Sequence, residues 1–172
     1  LTLKTPHAVI GEAMAFRGTT SVGQLVREAR MGKRPWNYGG TVHRGFLDLY
    51  DELASKELLS SVLEREKPVR TLCGYSVGGV FSILFAEELC RADGLCRTVY
   101  TIGSPRLCDY AFAQGLSDHL CVVRVANEED IVTRLPPRCE HVGSLLDIRF
   151  DSGSIIGNHC LHNYVDTLSA LT

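Results

Sequence analysis

The stretch Val69-Arg70-Thr71-Leu72-Cys73-Gly74-Tyr75-Ser76-Val77-Gly78-Gly79 decides how this chain reads. Residues 69–74 have the length and apolar content of a buried strand, and residues 77–91 form a helical segment apolar on most faces. Between them lies Gly74-Tyr75-Ser76-Val77-Gly78, a G-x-S-x-G pattern. A serine in that strand–turn–helix context occupies a tight, strained turn that points its hydroxyl out of the sheet. The flanking glycines leave room where a Cβ would collide with a neighbouring strand or helix. The N–H of Val77, at the helix N-terminus, can face a developing oxyanion. The pattern points to a nucleophilic serine; the competing reading is an ordinary strand-to-helix turn.

Outward from this turn the chain alternates between the two kinds of element. Residues 8–16 read as a strand, 21–30 as a helix and 31–40 as a loop with Gly, Pro and Asn. Residues 46–66 read as one helix, because Leu47, Tyr50, Leu53, Ala54, Leu58 and Val62 recur near the helical period, and Pro68 stops it. Strands follow at 97–102, 120–126 and 145–150, a short helix at 109–117, a turn at 152–157 and a closing helix at 159–171. Strands alternating with helices predict an α/β fold with a largely parallel sheet.

Composition bounds the function classes. The 172 residues carry a net charge of −2, with 45% hydrophobic and 22% charged residues, values of a single folded domain rather than of a disordered or coiled-coil chain. Near-neutral charge gives no general reason to bind nucleic acid. No apolar run approaches the roughly 18 residues of a membrane span. The seven cysteines are an odd number, so at least one stays unpaired within the chain. Cys73, Cys90 and Cys121 sit in apolar stretches and read as buried small hydrophobes, Cys90 and Cys96 are close enough in sequence for a local bridge, and the balance favours an intracellular setting over a secreted one.

A nucleophilic serine needs a base, and the base needs an orienting acid. On such elbows the chain order is Ser, then Asp or Glu, then His. Asp130 follows the 120–126 strand across a short loop, and His159 lies further on beside Asn158. The order Ser76, Asp130, His159 satisfies the rule. Spacing alone leaves Asp118, Glu128, Glu129, Asp147 and Asp151 as rivals for the acid, and His141 and His162 as rivals for the base.

Five blocks occur in sequence: Phe16-Arg17-Gly18-Thr19, Val42-His43-Arg44-Gly45-Phe46, Gly74-Tyr75-Ser76-Val77-Gly78-Gly79, Tyr100-Thr101-Ile102-Gly103-Ser104-Pro105-Arg106, and Arg124-Val125-Ala126-Asn127 running on through Asp130-Ile131-Val132-Thr133-Arg134-Leu135-Pro136-Pro137. Together they resemble the class 3 lipases, the fungal-type triacylglycerol lipases and their plant and animal relatives, from about residue 16 to 164. The resemblance implies an α/β-hydrolase fold, hydrolysis of carboxylic esters of lipids such as acylglycerols or phospholipids, and no cofactor or metal in the catalytic step. Carried over by position, Ser76 is the nucleophile, Asp130 the triad acid and His159 the base, in an H-x-x-x-x-Y pattern ending at Tyr164. Thr19 matches the side-chain contributor to the oxyanion hole, with the Val77 N–H as the other donor, and His43 matches a structural position.

The chain departs from the family pattern in places. Tyr75 stands where the family usually has His, a change expected to alter local packing. Leu25, Arg27 and Glu28 stand where Trp and Asp are frequent. The family's usual upstream segment is missing, so residues 1–172 are expected to form one lipase-like domain truncated at its N-terminus. Residues 21–38 mix Val22, Leu25, Val26, Met31, Trp36 and Tyr38 with four basic residues against one acidic, the pattern of a lid that touches a membrane or lipid-droplet surface. Two other readings are carried forward. One is a catalytically silent scaffold of the same fold. The other is a zinc site from Cys139, His141, His159, Cys160 and His162, although the paired C-x-x-C spacing of structural zinc sites is absent. A phosphate-binding loop fits poorly, because Gln24-Leu25 follows Gly18 and Gly23 where Lys-Ser/Thr is required.

Overall fold

The structure, a computed structural model, describes residues 7–18, 32–54, 56–116 and 118–171. Its frame is a six-stranded sheet in the order β1 (His7–Ile10), β2 (Ala13–Phe16), β5 (Thr71–Tyr75), β6 (Arg97–Ile102), β7 (Leu120–Asn127) and β8 (Ser144–Ile148). Only the β1–β2 pair is antiparallel; the other four pairings are parallel. A separate two-stranded ribbon joins β3 (Lys33–Pro35) to β4 (Thr41–His43). The helices are α1 (Arg44–Leu53), α2 (Lys56–Leu63), α3 (Val77–Asp93), α4 (Tyr110–Gly115), α5 (Ile155–Asn158) and α6 (Leu161–Ser169).

The central helix α3 is apolar on most sides because it is covered on most sides. Val77, Val80, Phe81, Leu84, Phe85 and Leu89 are buried in the cluster that also holds Phe16, Leu72 and Val99 from the strands and Phe46, Leu47 and Tyr50 from α1. At 17 residues it ends at Gly94, a left-handed cap at φ 68° that needs no Cβ. Among the described residues no helix is long and apolar enough to cross a membrane.

Four local expectations change. The predicted 8–16 strand is a hairpin, because Gly11 at φ +60° turns the chain and pairs Ile10 with Ala13. The predicted 46–66 helix is two helices: Ala54, at ψ 73°, ends α1, and the bend lets both α1 and α2 pack on α3. The predicted 152–157 turn contains the one-turn helix α5, capped by Ser154 Oγ accepting from the Gly157 N–H at 3.0 Å. The closing helix begins only at Leu161, since His159 and Cys160 are held in the preceding loop.

Of the segment predicted as a loop over 31–40, the described residues 32–40 are largely β-ribbon and turn, and they are anchored. Trp36 is only 7% exposed and packs edge-on against Tyr38, Tyr50 and Phe112. Arg34 pairs with Asp48 at 2.9 Å and with Asp51. Residues 32–38 therefore belong to the body of the fold and not to a movable flap; the remainder of the expected lid, residues 21–31, lies outside the described residues, as does the expected 21–30 helix. The cysteine reading is also revised. All seven are free thiols, Cys90 and Cys96 are unbridged, Cys121 is exposed, and the buried ones are Cys90, Cys108 and Cys139.

Candidate active site

The candidate residues follow the carboxyl ends of the parallel strands β5, β7 and β8, the edge where open α/β sheets build their sites. Ser76 leaves β5 at φ 56° and ψ −130°, one of two described non-glycine residues with positive φ. Such a conformation costs on the order of 1–3 kcal/mol and persists only where neighbours enforce it. The Ser76 N–H donates to Ile102 O at 2.9 Å, and the glycines on either side admit no side chain. A Cβ on Gly74 would lie 2.1 Å from Gly78 O, and one on Gly78 would lie 2.3 Å from Phe16 O. The G-x-S-x-G spacing is thus a steric requirement of this elbow. Val77 opens α3, so its N–H is among the first-turn donors that have no partner within the helix.

His159 reaches the elbow from the loop between α5 and α6. Its Nε2 is 2.9 Å from Ser76 Oγ and its Nδ1 is 2.7 Å from Asp130 Oδ2. The three side chains are all but sealed, at 3% exposure for Ser76, 0% for Asp130 and 4% for His159. A buried carboxylate must be fully hydrogen-bonded to be tolerated. Asp130 meets that demand: Oδ1 accepts from the Val132 N–H at 3.0 Å, and Oδ2 accepts from Tyr164 Oη at 2.8 Å besides facing His159.

The loops carrying acid and base are pinned to each other by two asparagines. Asn127 Oδ1 accepts from the N–H groups of Phe150 at 3.2 Å and Glu129 at 3.4 Å, and its Nδ2 donates to Asn158 O at 3.3 Å. Asn158 Oδ1 accepts from Ser152 N at 2.7 Å and Ser152 Oγ at 2.9 Å. Tyr75 stacks on the His159 ring, centroids 5.0 Å apart and planes at 27°, and its hydroxyl donates to His159 O. Burial, and then the charge of Asp130, pushes the Tyr75 hydroxyl up to about 12, and the same two causes in the same order raise Tyr164. Both hydroxyls therefore stay protonated donors at neutral pH. These four supporting residues escaped the sequence reading as functional groups; Tyr75 and Asn158 directly flank Ser76 and His159, whereas Asn127 and Tyr164 lie three and five positions from Asp130 and His159.

The rivals fall away on position. Asp118, Glu128, Glu129, Asp147 and Asp151 are exposed, and Arg149 contacts Glu128 at 2.9 Å and Asp147 at 3.8 Å. His162 is exposed beside Asp166, and His141 donates through Nε2 to Thr133 O at 2.7 Å. The zinc reading has no donor set, because both ring nitrogens of His159 are committed to Asp130 and Ser76; among the described residues no three His, Cys, Asp or Glu side chains converge as metal ligands would. His43 is buried against Phe46, ring centroids 4.6 Å apart, as a structural residue would be. Thr19 lies outside the described residues. Beside the site, an apolar cleft of about 370 Å³ is lined by Ala15, Phe16, Cys73, Tyr75, Ile102 and Leu161, among others.

A strained serine on a strand–helix elbow, with an acid and a histidine on the following strand-end loops, defines an α/β-hydrolase architecture. The family model of the class 3 lipases matches residues 13–140, and the chain belongs to that family. Among relatives it is similar to the lipase of Rhizomucor miehei, 36% identical over 137 residues, covering 72% of this chain and 37% of that protein. It is also similar to the secreted mono- and diacylglycerol lipase 1 of Fusarium solani, 30% identical over 130 residues, covering 72% of this chain and 39% of that one. The solved Rhizomucor miehei lipase propeptide complex matches with a TM-score of 0.71 at 32% identity, over 80% of this chain and 49% of that chain. The chain spans less than two fifths of the length of those two relatives. The family match ends at residue 140, so His159 is brought to Ser76 by the structure and not by the matched segment.

Proposed function

We propose that this chain hydrolyses carboxylic esters of lipids by two-step acyl transfer, with Ser76 as nucleophile, His159 as general base and acid, and Asp130 as orienting acid. The observation that carries the reading is the continuous Ser76–His159–Asp130 hydrogen-bond line, with contacts of 2.9 and 2.7 Å, behind a strained elbow. His159 takes the Ser76 proton as Oγ attacks the ester carbonyl, and the imidazolium then protonates the leaving alcohol. Water repeats the sequence on the acyl-enzyme. Asp130 holds the tautomer with the proton on Nδ1, leaving Nε2 free to accept. The Val77 N–H serves the oxyanion, with Thr19 as the proposed second donor.

The proposed approach to a lipid surface is through the rim of the site and residues 21–31. Ile155 and Ile156, on the one-turn helix leading into His159, are 63% and 77% exposed, and Ile131, next to Asp130, is 40% exposed. Adjacent exposed isoleucines beside a site are costly in water and favourable in an apolar phase.

Fluorophosphonate labelling with peptide mapping tests the reading. The expected result is an adduct on Ser76 that is lost in Ser76→Ala, together with ester hydrolysis that falls by several orders of magnitude in the same variant. No adduct with and without detergent overturns it and favours the silent scaffold.

A further inference from the structure

We infer that Tyr75 is a positioning residue for the base: it ties His159 to the nucleophile's own backbone and lays a π-face against the imidazole. The inference rests on the reading of His159 as the base. Tyr75 is covalently next to Ser76, and its place in the sheet is fixed by the pairing of Tyr75 with Ile102 and by the Ser76 N–H to Ile102 O bond. From that fixed point one side chain grips His159 twice. The ring stacks on the imidazole, and the hydroxyl donates to the His159 carbonyl. The outer side of Tyr75 belongs to the wall shared with Phe16, Ile102 and Leu161.

This arrangement answers a mechanical problem. His159 sits on a loop 83 positions from Ser76, and the 2.9 Å contact requires the ring to be held in place relative to the elbow. Asp130 restrains only the Nδ1 side of the ring. A strut rooted one residue from the nucleophile makes the base follow the nucleophile, and reactions of this kind are sensitive to displacements of about 1 Å. The stack adds an electrostatic part. A cation within about 6 Å of an aromatic centroid is attracted by the ring face, and the imidazole becomes a cation only after it takes the Ser76 proton. The groups facing His159 are Ser76 and Tyr75 from the elbow, Asp130 from the loop after β7 and Tyr164 behind it from α6, with Cys160 adjoining the Tyr75 hydroxyl. Tyr75 and Tyr164 stay neutral, so Asp130 and the Tyr75 ring are what stabilise the imidazolium.

Two substitutions separate the parts. Tyr75→Phe keeps the ring and removes the tether; kcat is expected to fall about 2- to 10-fold with KM and the acid limb of the pH profile unmoved. Tyr75→Leu removes both; kcat is expected to fall about a further 10-fold, and the acid limb of kcat/KM moves to lower pH by about half a unit, because the imidazolium has lost the ring face. Each variant is checked for a wild-type Tm and for the rate of fluorophosphonate labelling of Ser76. Failure of the wild-type protein to label removes the triad reading itself. A labelled wild type with Tyr75→Leu matching it in kcat, labelling rate and acid limb overturns the inference alone. If Tyr75→Leu does not fold, Tyr75→Phe at unchanged Tm with unchanged kcat overturns it.

Discussion

The Tyr164 hydroxyl donates to Asp130 Oδ2 at 2.8 Å and, with its lone pair, accepts the Asn127 N–H at 3.0 Å. One buried phenol thus joins the end of β7 to the carboxylate that faces His159. Tyr164→Phe leaves the Asn127 N–H without its partner in a site sealed from solvent, a loss of about 1–3 kcal/mol. Chemical denaturation is expected to show that loss, and steady-state kinetics a fall in kcat of about 10-fold or less, since His159 still faces Asp130.

In the proposed mechanism Asp130 acts on the reaction through the imidazole it faces. Asp130→Asn presents an amide that can donate to Nδ1, which places the ring proton on Nε2 and blocks acceptance from Ser76. Turnover is expected to drop by about three to four orders of magnitude while the Tm changes far less. Kinetics on a soluble ester, with thermal unfolding alongside, check this. A drop of only a few-fold counts against the orienting role.

Ile155 and Ile156 face water next to His159 without touching its ring chemistry. Exchanging both for serine is expected to lower binding to phosphatidylcholine vesicles and hydrolysis of emulsified ester several-fold, because about 25 cal/mol is lost for each Å² of apolar surface no longer transferred out of water. Hydrolysis of a water-soluble short-chain ester stays near wild type. Equal loss on both substrates places the isoleucines in the catalytic fold rather than at a lipid surface.

His141, half-buried beside Thr133, makes the fold sensitive to acid. Burial, and then the charge of Arg124, lowers it to about 4 from its ordinary 6.5. The folded state therefore prefers the neutral ring. Its contribution is fully present above pH 6.5 and is lost as pH falls towards 4, where the unfolded chain binds the proton and the folded one does not. Allowing for its partial contact with solvent, the loss amounts to about 2 kcal/mol. In urea titrations between pH 7 and 4, His141→Gln is expected to lose that much less stability than wild type over the interval. Parallel curves for the two proteins rule the assignment out.

Much of this molecule is legible because its causes are local. The elbow is one case: Gly74, Ser76 and Gly78 lie within five residues, and a Cβ on Gly74 would meet the helix that follows, although the clash at Gly78 comes from Phe16 on the neighbouring strand β2. Strand β5 and helix α3 are another, since each is an apolar run whose length suits its element. The break at Ala54 has no glycine or proline to announce it and comes from two apolar stripes seeking the same core. Trp36 shows the opposite failure. Its basic, aromatic neighbourhood has the composition of a surface flap, yet Tyr50 and Phe112, distant in sequence, cover it.

The residue types at the site were readable as well: a serine in a glycine-flanked turn, an aspartate after a strand and a histidine later in the chain. Spacing left several acids and histidines open and the family resemblance singled out Asp130 and His159; what only the fold decided is that these two meet that serine. Asp130 and Glu129 are chain neighbours with the same chemistry, but the first is sealed against His159 and the second is in water. Side-chain chemistry is a property of one residue, whereas burial and a 2.7 Å contact across 29 positions are properties of how the strands and helices pack.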